Sequence, residues 1–380
     1  MIAFSRPAVF GAEVEYLSQV RDSRATWGGG EFYAKASAEL RDLHHVQDVL
    51  LTQSCTAALE LAALGLNVGP GDEVIIPSYT FVSTANAFAL RGAKIVFADS
   101  DPETLNMDAA KLEKLITEQT RAIVVVHYGG VACEMDEIMA IAQRYGVPVV
   151  EDAAQAIGAT YKGRPLGSIG DLGCLSFHGT KNVSSGEGGA LMVNSQDEDL
   201  LDRLHTAHEK GTDRAKFLRG EVDKYTWRQL GSSFIPSEFT SAILLAQLQN
   251  FKIIQSRRKS SWEEYASALT GIQEKGFGWL KQGTLGSNFH MFALISPDAA
   301  SREHLRKKLR EKGVIATSHY EPLHSSPFAA GQNWPKADVP VAQDLSERIL
   351  RLPMWSEEGL ETALVTSAII SVLKSAQNQK

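Results

Sequence analysis

The sequence predicts an α/β protein: a large, doubly wound domain on a mainly parallel sheet, followed by a smaller α+β domain. Three observations predict it. The chain has 380 residues, more than one ordinary domain holds. From about Val46 to about Asn250, short and nearly continuous apolar runs alternate with helical patterns, as they do when helices cover both faces of a parallel sheet. Beyond about Asn250 that alternation gives way to charged and amphipathic helical patterns around isolated apolar runs. The expected division is therefore 1–250 and 251–380.

Each element follows from local pattern. Val49-Leu50-Leu51-Thr52 reads as a strand, and Ala57 to Leu64 as the helix after it. The turn Gly69-Pro70-Gly71-Asp72 leads into the strand Glu73-Val74-Ile75-Ile76-Pro77. Lys94 to Phe97, Ala122 to Val126 and Val147 to Val150 supply further strands. Right-handed crossovers between parallel strands make the arrangement doubly wound. In the second part, 251–264 predicts a long connecting helix, 291–295 a strand, 302–312 a charged helix and 362–373 an amphipathic helix. No internal repeat or low-complexity segment interrupts the pattern.

Composition narrows the function classes. With 38 basic and 45 acidic residues the net charge is −7, which argues against a general nucleic-acid binder. Cys55, Cys133 and Cys174 are too few and too scattered for a disulfide framework or a zinc site, and no metal ligand set is expected. The first twenty residues carry Arg6, Glu13 and Glu15 and resemble no signal peptide. No uncharged apolar stretch is long enough to span a bilayer. A soluble, cytoplasmic protein without nucleic-acid or membrane partners is expected.

Ligands of open α/β sheets bind beyond the carboxyl ends of the strands, so the residues after each predicted strand carry the chemistry. Ser54-Cys55-Thr56 puts small residues and a hydroxyl at a helix start, where free N–H groups and the helix dipole favour a phosphate. Asp152 follows a strand and can face a pyridine nitrogen, keeping the ring protonated. Phe81 offers a flat face. Lys181, in Ser176-Phe177-His178-Gly179-Thr180-Lys181, supplies an amine for a Schiff base and then a general base. An ordinary lysine titrates near ~10.4, so its surroundings must lower that value. Singly, Lys181 reads as a surface lysine, Asp152 as a helix cap, Phe81 as core and Gly186-Glu187-Gly188-Gly189 as a turn. Together, in this chain order, they meet the needs of bound pyridoxal 5′-phosphate (PLP).

The strings Val150-Glu151-Asp152-Ala153-Ala154-Gln155, Ser176 to Lys181 and Gly186-Glu187-Gly188-Gly189 closely resemble the DegT/DnrJ/EryC1/StrS sugar aminotransferase family. The resemblance runs from Trp27-Gly28-Gly29-Gly30 to about Leu352-Pro353. It implies the fold type I (aspartate-aminotransferase-like) PLP-dependent transferase fold. It also implies a homodimer with the active site at the subunit interface, and nucleotide-linked keto-sugars and L-glutamate as substrates. Carried over by position, Lys181 is the Schiff-base lysine, Asp152 the pyridine-nitrogen partner and Gln155 the contact to the cofactor's O3′. Ser176, Cys55 and Thr56 become phosphate ligands, and Phe81 stacks on the ring. The family usually places Gly-Tyr-Asn-Tyr-Arg before a late helix, its Asn reaching the neighbouring subunit's phosphate. This chain has Gly231-Ser232-Ser233-Phe234, so the shorter Ser233 stands at that contact.

That departure resembles one subgroup, as do Asp223-Lys224-Tyr225-Thr226-Trp227-Arg228 and His319-Tyr320-Glu321-Pro322-Leu323-His324. The subgroup implies amination of dTDP-4-keto-6-deoxy-D-glucose at C4, for cell-envelope polysaccharide. Lys210, Tyr225, His319, Tyr320 and His324 are its candidate substrate contacts, with the basic stretch 208–228 available to a nucleotide diphosphate. Amination at C3 or with equatorial C4 stereochemistry would use the same cofactor chemistry. A sugar 3-dehydratase of this fold replaces the lysine by histidine, and a non-catalytic relative would have lost Lys181 or Asp152. Both residues are present.

Overall fold

The computed structural model describes residues 1–281 and 286–375. Residues 282–285 and 376–380, both within the expected second domain, lie outside the described residues. Seven strands form the large sheet: β1 (Asp48–Thr52), β2 (Glu73–Pro77), β3 (Lys94–Ala98), β4 (Thr120–Val126), β5 (Val149–Asp152), β6 (Leu172–Ser176) and β7 (Gly189–Val193). Their order is β1-β7-β6-β5-β4-β2-β3. β7 is antiparallel to both its neighbours, and the pairs from β6 through β5, β4 and β2 to β3 are parallel.

Burial on both faces explains the continuous apolar runs. Along β4, Ile123 and Val125 enter one core and Ala122 and Val124 the other. The first core is covered by α1 (Ala12–Ser23), α2 (Glu31–His44), α5 (Met135–Tyr145) and α7 (Glu238–Gln249), through residues such as Val20, Leu40, Ile138 and Leu245. The second is covered by α3 (Cys55–Gly65), α4 (Val82–Ala89) and α6 (Glu198–His208), through Leu61, Phe88 and Leu204.

Two strands, β6 and β7, escaped the apolar-run reading. Glycine weakens the strand signal in both, and at Gly173 the fold demands it: a Cβ there would lie 2.0 Å from the Gly167 carbonyl oxygen. β5 runs two residues beyond its apolar stretch and carries Glu151 and Asp152 to the sheet's carboxyl edge.

After α8 (Phe251–Ala268), three short antiparallel strands, β8 (Gly278–Trp279), β9 (Ala293–Ile295) and β10 (Ile349–Arg351), form a small sheet. It packs with α9 (Ala299–Glu311) and α10 (Thr362–Ser375) around Phe292, Leu305, Leu350 and Ile369. Asp298 caps α9 by accepting the Ser301 N–H at 2.7 Å, so the helix starts one turn earlier than its charged pattern predicts. The N-terminal residues join this layer, where the Ile2 N–H donates to the Gly313 carbonyl at 2.7 Å.

Candidate active site

A cavity of about 430 Å³ opens where β5 and β6 end, beside the start of α3. Asp152, Gln155, Ser176, Lys181, Cys55, Thr56 and Phe81 line it from the large sheet, and His319, Tyr320 and Arg351 from the small-sheet side. Its size suits a small-molecule site.

The α3 end is built for an anion. Ser54 is its N-cap, its Oγ accepting the Ala57 N–H at 3.1 Å, and the first turn holds no acidic residue. Thr56 Oγ1 lies 2.7 Å from Ser83 Oγ, which puts a second hydroxyl beside the helix start. The glycine motif has a job here. A Cβ on Gly189 would stand 2.3 Å from the Ser54 carbonyl carbon and 2.5 Å from the Cys55 nitrogen, so only glycine lets β7 pass this close. Gly189→Ala is expected to weaken binding of a phosphate-bearing cofactor roughly tenfold or more by displacing that helix start. Titration of the cofactor's absorbance measures it, and unchanged affinity would show that α3 does not hold the phosphate.

Asp152 ends β5 with its carboxylate buried. Oδ2 accepts the Thr84 hydroxyl at 2.7 Å, and Oδ1 accepts the Ala154 N–H at 3.2 Å. Burial raises its pKa, while Thr84 and the Ala154 N–H pull the other way. A cationic partner would reverse the balance. Thr84 was not singled out from the sequence. It lies one turn beyond Thr80, whose Oγ1 meets the Thr84 Oγ1 at 2.8 Å.

Lys181 sits on a tight loop between β6 and β7. Its N–H donates to the His178 carbonyl at 2.9 Å, and Gly179 and Ser185 bond across the loop to Gly186 and Phe177. The next residue, Asn182, anchors the loop to the other layer: its Nδ2 donates to the Asn288 carbonyl at 3.0 Å and its Oδ1 meets His290 Nδ1 at 2.8 Å. Among the described residues the Lys181 amine has no hydrogen-bond or ion-pair partner. Burial lowers its pKa and the Arg351 charge adds to that, against the opposing pull of Cys55 and Asp152. The lowered value is the one a general base needs.

Gln155 Oε1 accepts the Gly129 N–H at 2.7 Å, and its Nε2 donates to the Tyr320 hydroxyl at 3.2 Å. That ties the end of β5 to the small-sheet side. Tyr320 lies 5.9 Å from Phe81 between ring centroids and stacks on His319 at 4.3 Å. Phe81 itself is 54% exposed.

Beneath the cavity, Glu151 is fully buried. It accepts the N–H groups of Ile169 and Gly170 at 2.6 Å and of Gly167 at 2.8 Å. His127 Nε2 lies 2.8 Å from Glu151, and His127 Nδ1 accepts the Cys133 N–H at 3.2 Å, which leaves Nε2 to carry the proton and donate. Burial would raise the Glu151 carboxyl, but the hydrogen bonds from His127, Gly170 and Gly167 outweigh it and hold it below the usual range. A depressed carboxyl contributes stability present above its unfolded pKa of about 4.3 and lost as pH falls through the folded value. Glu151→Gln therefore costs about 3 kcal/mol at neutral pH, with the gap to wild type closing in acid. Thermal unfolding across pH checks this; a gap that widened in acid would contradict it.

Four sequence candidates lie outside the cavity. Ser233 is exposed, and its carbonyl accepts Gln53 Nε2 at 2.8 Å. Lys210 is exposed with a left-handed φ of 65°. Tyr225 is 52% exposed and packs on Phe217. His324 turns its Nδ1 to Ser78 Oγ at 2.8 Å. Within the basic stretch, Arg214, Lys216, Arg219 and Arg228 pair with Glu209, Asp202, Glu221 and Asp213. Nearby acids thus meet much of the positive charge offered to a diphosphate. Conversely, sequence reasoning missed Arg351. Its signal was a guanidinium between Leu350 and Leu352, in a run that packing buries.

An amine, a strand-end carboxylate and a helix start thus share one cavity, and they fit a phosphorylated pyridine aldehyde. The profile of the DegT/DnrJ/EryC1/StrS aminotransferase family matches residues 10–370. The spore coat polysaccharide biosynthesis protein SpsC of Bacillus subtilis is 33% identical, covering 99% of this chain and 98% of that one. A GDP-perosamine synthase of Caulobacter vibrioides is 32% identical over 98% of this chain and 97% of its own. Among solved structures, the aminotransferase TlmJ from Streptoalloteichus hindustanus superposes with a TM-score of 0.90 at 29% identity, covering 99% of this chain and all of the other.

Proposed function

This chain belongs to the DegT/DnrJ/EryC1/StrS aminotransferase family, and from that premise we propose that it carries the amino group of L-glutamate to C4 of dTDP-4-keto-6-deoxy-D-glucose. The products are dTDP-4-amino-4,6-dideoxy-D-galactose and 2-oxoglutarate. The enzyme is a sugar aminotransferase and pyridoxal 5′-phosphate is its cofactor. One observation carries the reading: the Lys181 amine, which has no hydrogen-bond or ion-pair partner among the described residues, shares a cavity with the Asp152 carboxylate and the open start of α3.

Bound PLP supplies an electron sink that acidifies the donor's Cα–H. The chain's own residues do the rest. The α3 N–H groups, with Thr56, Cys55 and Ser176, hold the phosphate. Asp152, fixed by Thr84 and the Ala154 N–H, keeps a proton on the pyridine nitrogen. Phe81 would cover the ring, and Gln155, set by its bonds to Gly129 and Tyr320, would meet the cofactor's O3′. Lys181, its basicity lowered, would take the proton from the donor's Cα and carry it between that carbon and the bound cofactor. The same residues run in the opposite sense when the keto-sugar takes up the nitrogen.

The dTDP and C4 parts of the reading rest on the subgroup strings around Tyr225, Ser233 and His319. On this reading His319 and Tyr320 approach the sugar, while Lys210, Tyr225 and Ser233 act across a homodimer interface. The exposed rings of Trp27 and Trp227, at 69% and 74%, favour such an interface. His324, held by Ser78, stays outside the cavity. We place the enzyme in the cytoplasm; among the described residues no helix is long and apolar enough to cross a membrane. The GDP-perosamine synthase relative favours a second reading, in which the nucleotide is GDP. Incubation of the enzyme with glutamate and either dTDP- or GDP-linked 4-keto-6-deoxy sugar, with NMR of the product, separates them. An axial C4 amine on the dTDP sugar is expected. An equatorial C4 amine, a C3 amine or turnover confined to the GDP sugar would overturn the substrate assignment.

A further inference from the structure

Taking up a proton turns the Lys181 amine into an ammonium with three N–H donors, and inside a buried cavity those donors need acceptors. Few are free. The Asp152 carboxylate is held by Thr84 and the Ala154 N–H, and on the reading above it faces the cofactor. The Tyr320 hydroxyl receives Gln155, and the His319 ring meets the Arg351 guanidinium. Cys55 offers only a buried, protonated thiol. One further group lines the cavity: His290, 3% exposed.

A network of amides fixes how the His290 ring is turned. Asn182 Nδ2 donates to the Asn288 carbonyl at 3.0 Å, so the Asn182 atom 2.8 Å from His290 Nδ1 is the amide oxygen, an acceptor. Nδ1 therefore carries the ring proton and donates it. Asn288 completes the frame. Its Oδ1 accepts the His290 N–H at 3.1 Å, and its Nδ2 donates to the carbonyls of Gln155 and Ile157 at 2.8 and 3.0 Å. Burial pushes the imidazole well below its usual range, with Lys181, Arg258, Arg351 and His319 adding to the effect. A neutral ring with its proton on Nδ1 has a bare Nε2. That nitrogen has no hydrogen-bond partner among the described residues, and it is not sealed from the cavity.

We propose that His290 Nε2 is the acceptor that holds the Lys181 amine whenever that amine is free in the cavity, so that His290 positions the base without serving as one. The inference rests on Lys181 being the base, as in the reading above. The ring is too weakly basic to take the proton away, yet its bare nitrogen can receive a hydrogen bond from the ammonium. Such a bond favours the protonated amine. It opposes the lowering that burial and Arg351 impose on Lys181, in the same sense as Cys55 and Asp152.

Two amide substitutions separate the two ring nitrogens. In His290→Asn the side-chain amide can still donate to Asn182 near the place of Nδ1, while nothing stands at Nε2. His290→Gln carries its amide near Nε2, where the oxygen can accept, and gives up the Asn182 bond. Both are loaded with pyridoxamine phosphate, which leaves Lys181 a free amine. The measurement is the rate of Lys181 acetylation by acetic anhydride across pH, read by mass spectrometry. On the acid limb, His290→Asn should be acetylated about three- to tenfold faster than wild type, because a hydrogen bond to the charged form is lost. His290→Gln should stay within about twofold of wild type, since it keeps that bond. An unchanged profile in His290→Asn would overturn the assignment. So would a shift in His290→Gln as large as that in His290→Asn, which would make His290 an anchor of the Lys181 loop and nothing more. Either variant decides alone if the other does not fold. None of these readouts requires nitrogen to reach a sugar, so failure of the aminotransferase reading would show separately, in the product NMR.

Discussion

Replacing Lys181 by alanine lowers kcat for amine transfer by roughly 10⁴-fold or more, while the protein folds and still takes up pyridoxal phosphate. The structure explains both halves of that result. The Lys181 amine makes no hydrogen bond or ion pair among the described residues, so the fold loses none with it. Its loop is held instead by backbone bonds from Gly179, Lys181 and Ser185 and by the Asn182 anchor. The phosphate end of the site lies on another element, α3. The chemistry, by contrast, loses its base, and two groups near Lys181 are poorly placed to replace it. Cys55 is buried with its thiol raised well above the usual range by that burial, which keeps it protonated. His290, also buried, is pushed well below the usual imidazole range and is occupied by Asn182. Stopped-flow absorbance reads the effect: the variant lacks the visible band that the covalently held cofactor gives. Added primary amines should restore part of the turnover by standing in for the missing side chain. Full activity in Lys181→Ala would dismiss the lysine.

Asp152→Asn is the second large effect, a loss of about 10²- to 10³-fold in kcat, the range for removing one preorganised electrostatic partner. Asparagine keeps the shape and can still receive the Thr84 hydroxyl, so binding of the cofactor is expected to fall much less than turnover. The loss should appear equally with both substrates, because the protonated ring nitrogen serves both half-reactions. Without cofactor the sign of the stability effect reverses. Burial raises the Asp152 pKa; a raised carboxyl contributes stability fully present below its unfolded value of about 3.9 and lost as pH rises through the folded value. The wild-type protein therefore bears a penalty at neutral pH that the asparagine variant lacks. Calorimetry of the cofactor-free proteins should show Asp152→Asn with the higher midpoint at neutral pH and a shrinking difference in acid. Turnover that survives the substitution would remove Asp152 from the chemistry.

How far such a site can be read before folding depends on which physical signal each residue carries. Lys181, Asp152 and the start of α3 were legible because each follows a strand, and strand ends in a parallel sheet converge by topology. The central strands were legible because burial on both faces leaves continuous apolar runs. β6 and β7 were not. Their glycines answer to close backbone approach, at Gly167 for one and at Ser54 for the other, and those neighbours are remote in sequence or unknown until the sheet closes. Arg351 and Thr84 were likewise invisible as site residues. Arg351 ends a small-sheet strand and Thr84 lies within α4, and their roles come from contacts with elements far along the chain. The family resemblance drew in Ser233, Lys210 and Tyr225, which this single chain leaves on its surface. Physical pattern locates the cofactor end of the cavity, and the substrate end is built from segments that only tertiary folding brings together.

The central claim is transfer of nitrogen through Lys181 from an amino acid to a sugar. Its most direct test is an incubation with ¹⁵N-labelled L-glutamate and dTDP-4-keto-6-deoxy-D-glucose, followed by NMR of the purified nucleotide sugar. The account predicts ¹⁵N bonded to C4 of the sugar in the wild-type product, one 2-oxoglutarate per amino sugar, and no label transferred by Lys181→Ala. Label that fails to reach the sugar while the keto-sugar is consumed, or label transferred by Lys181→Ala, would contradict it.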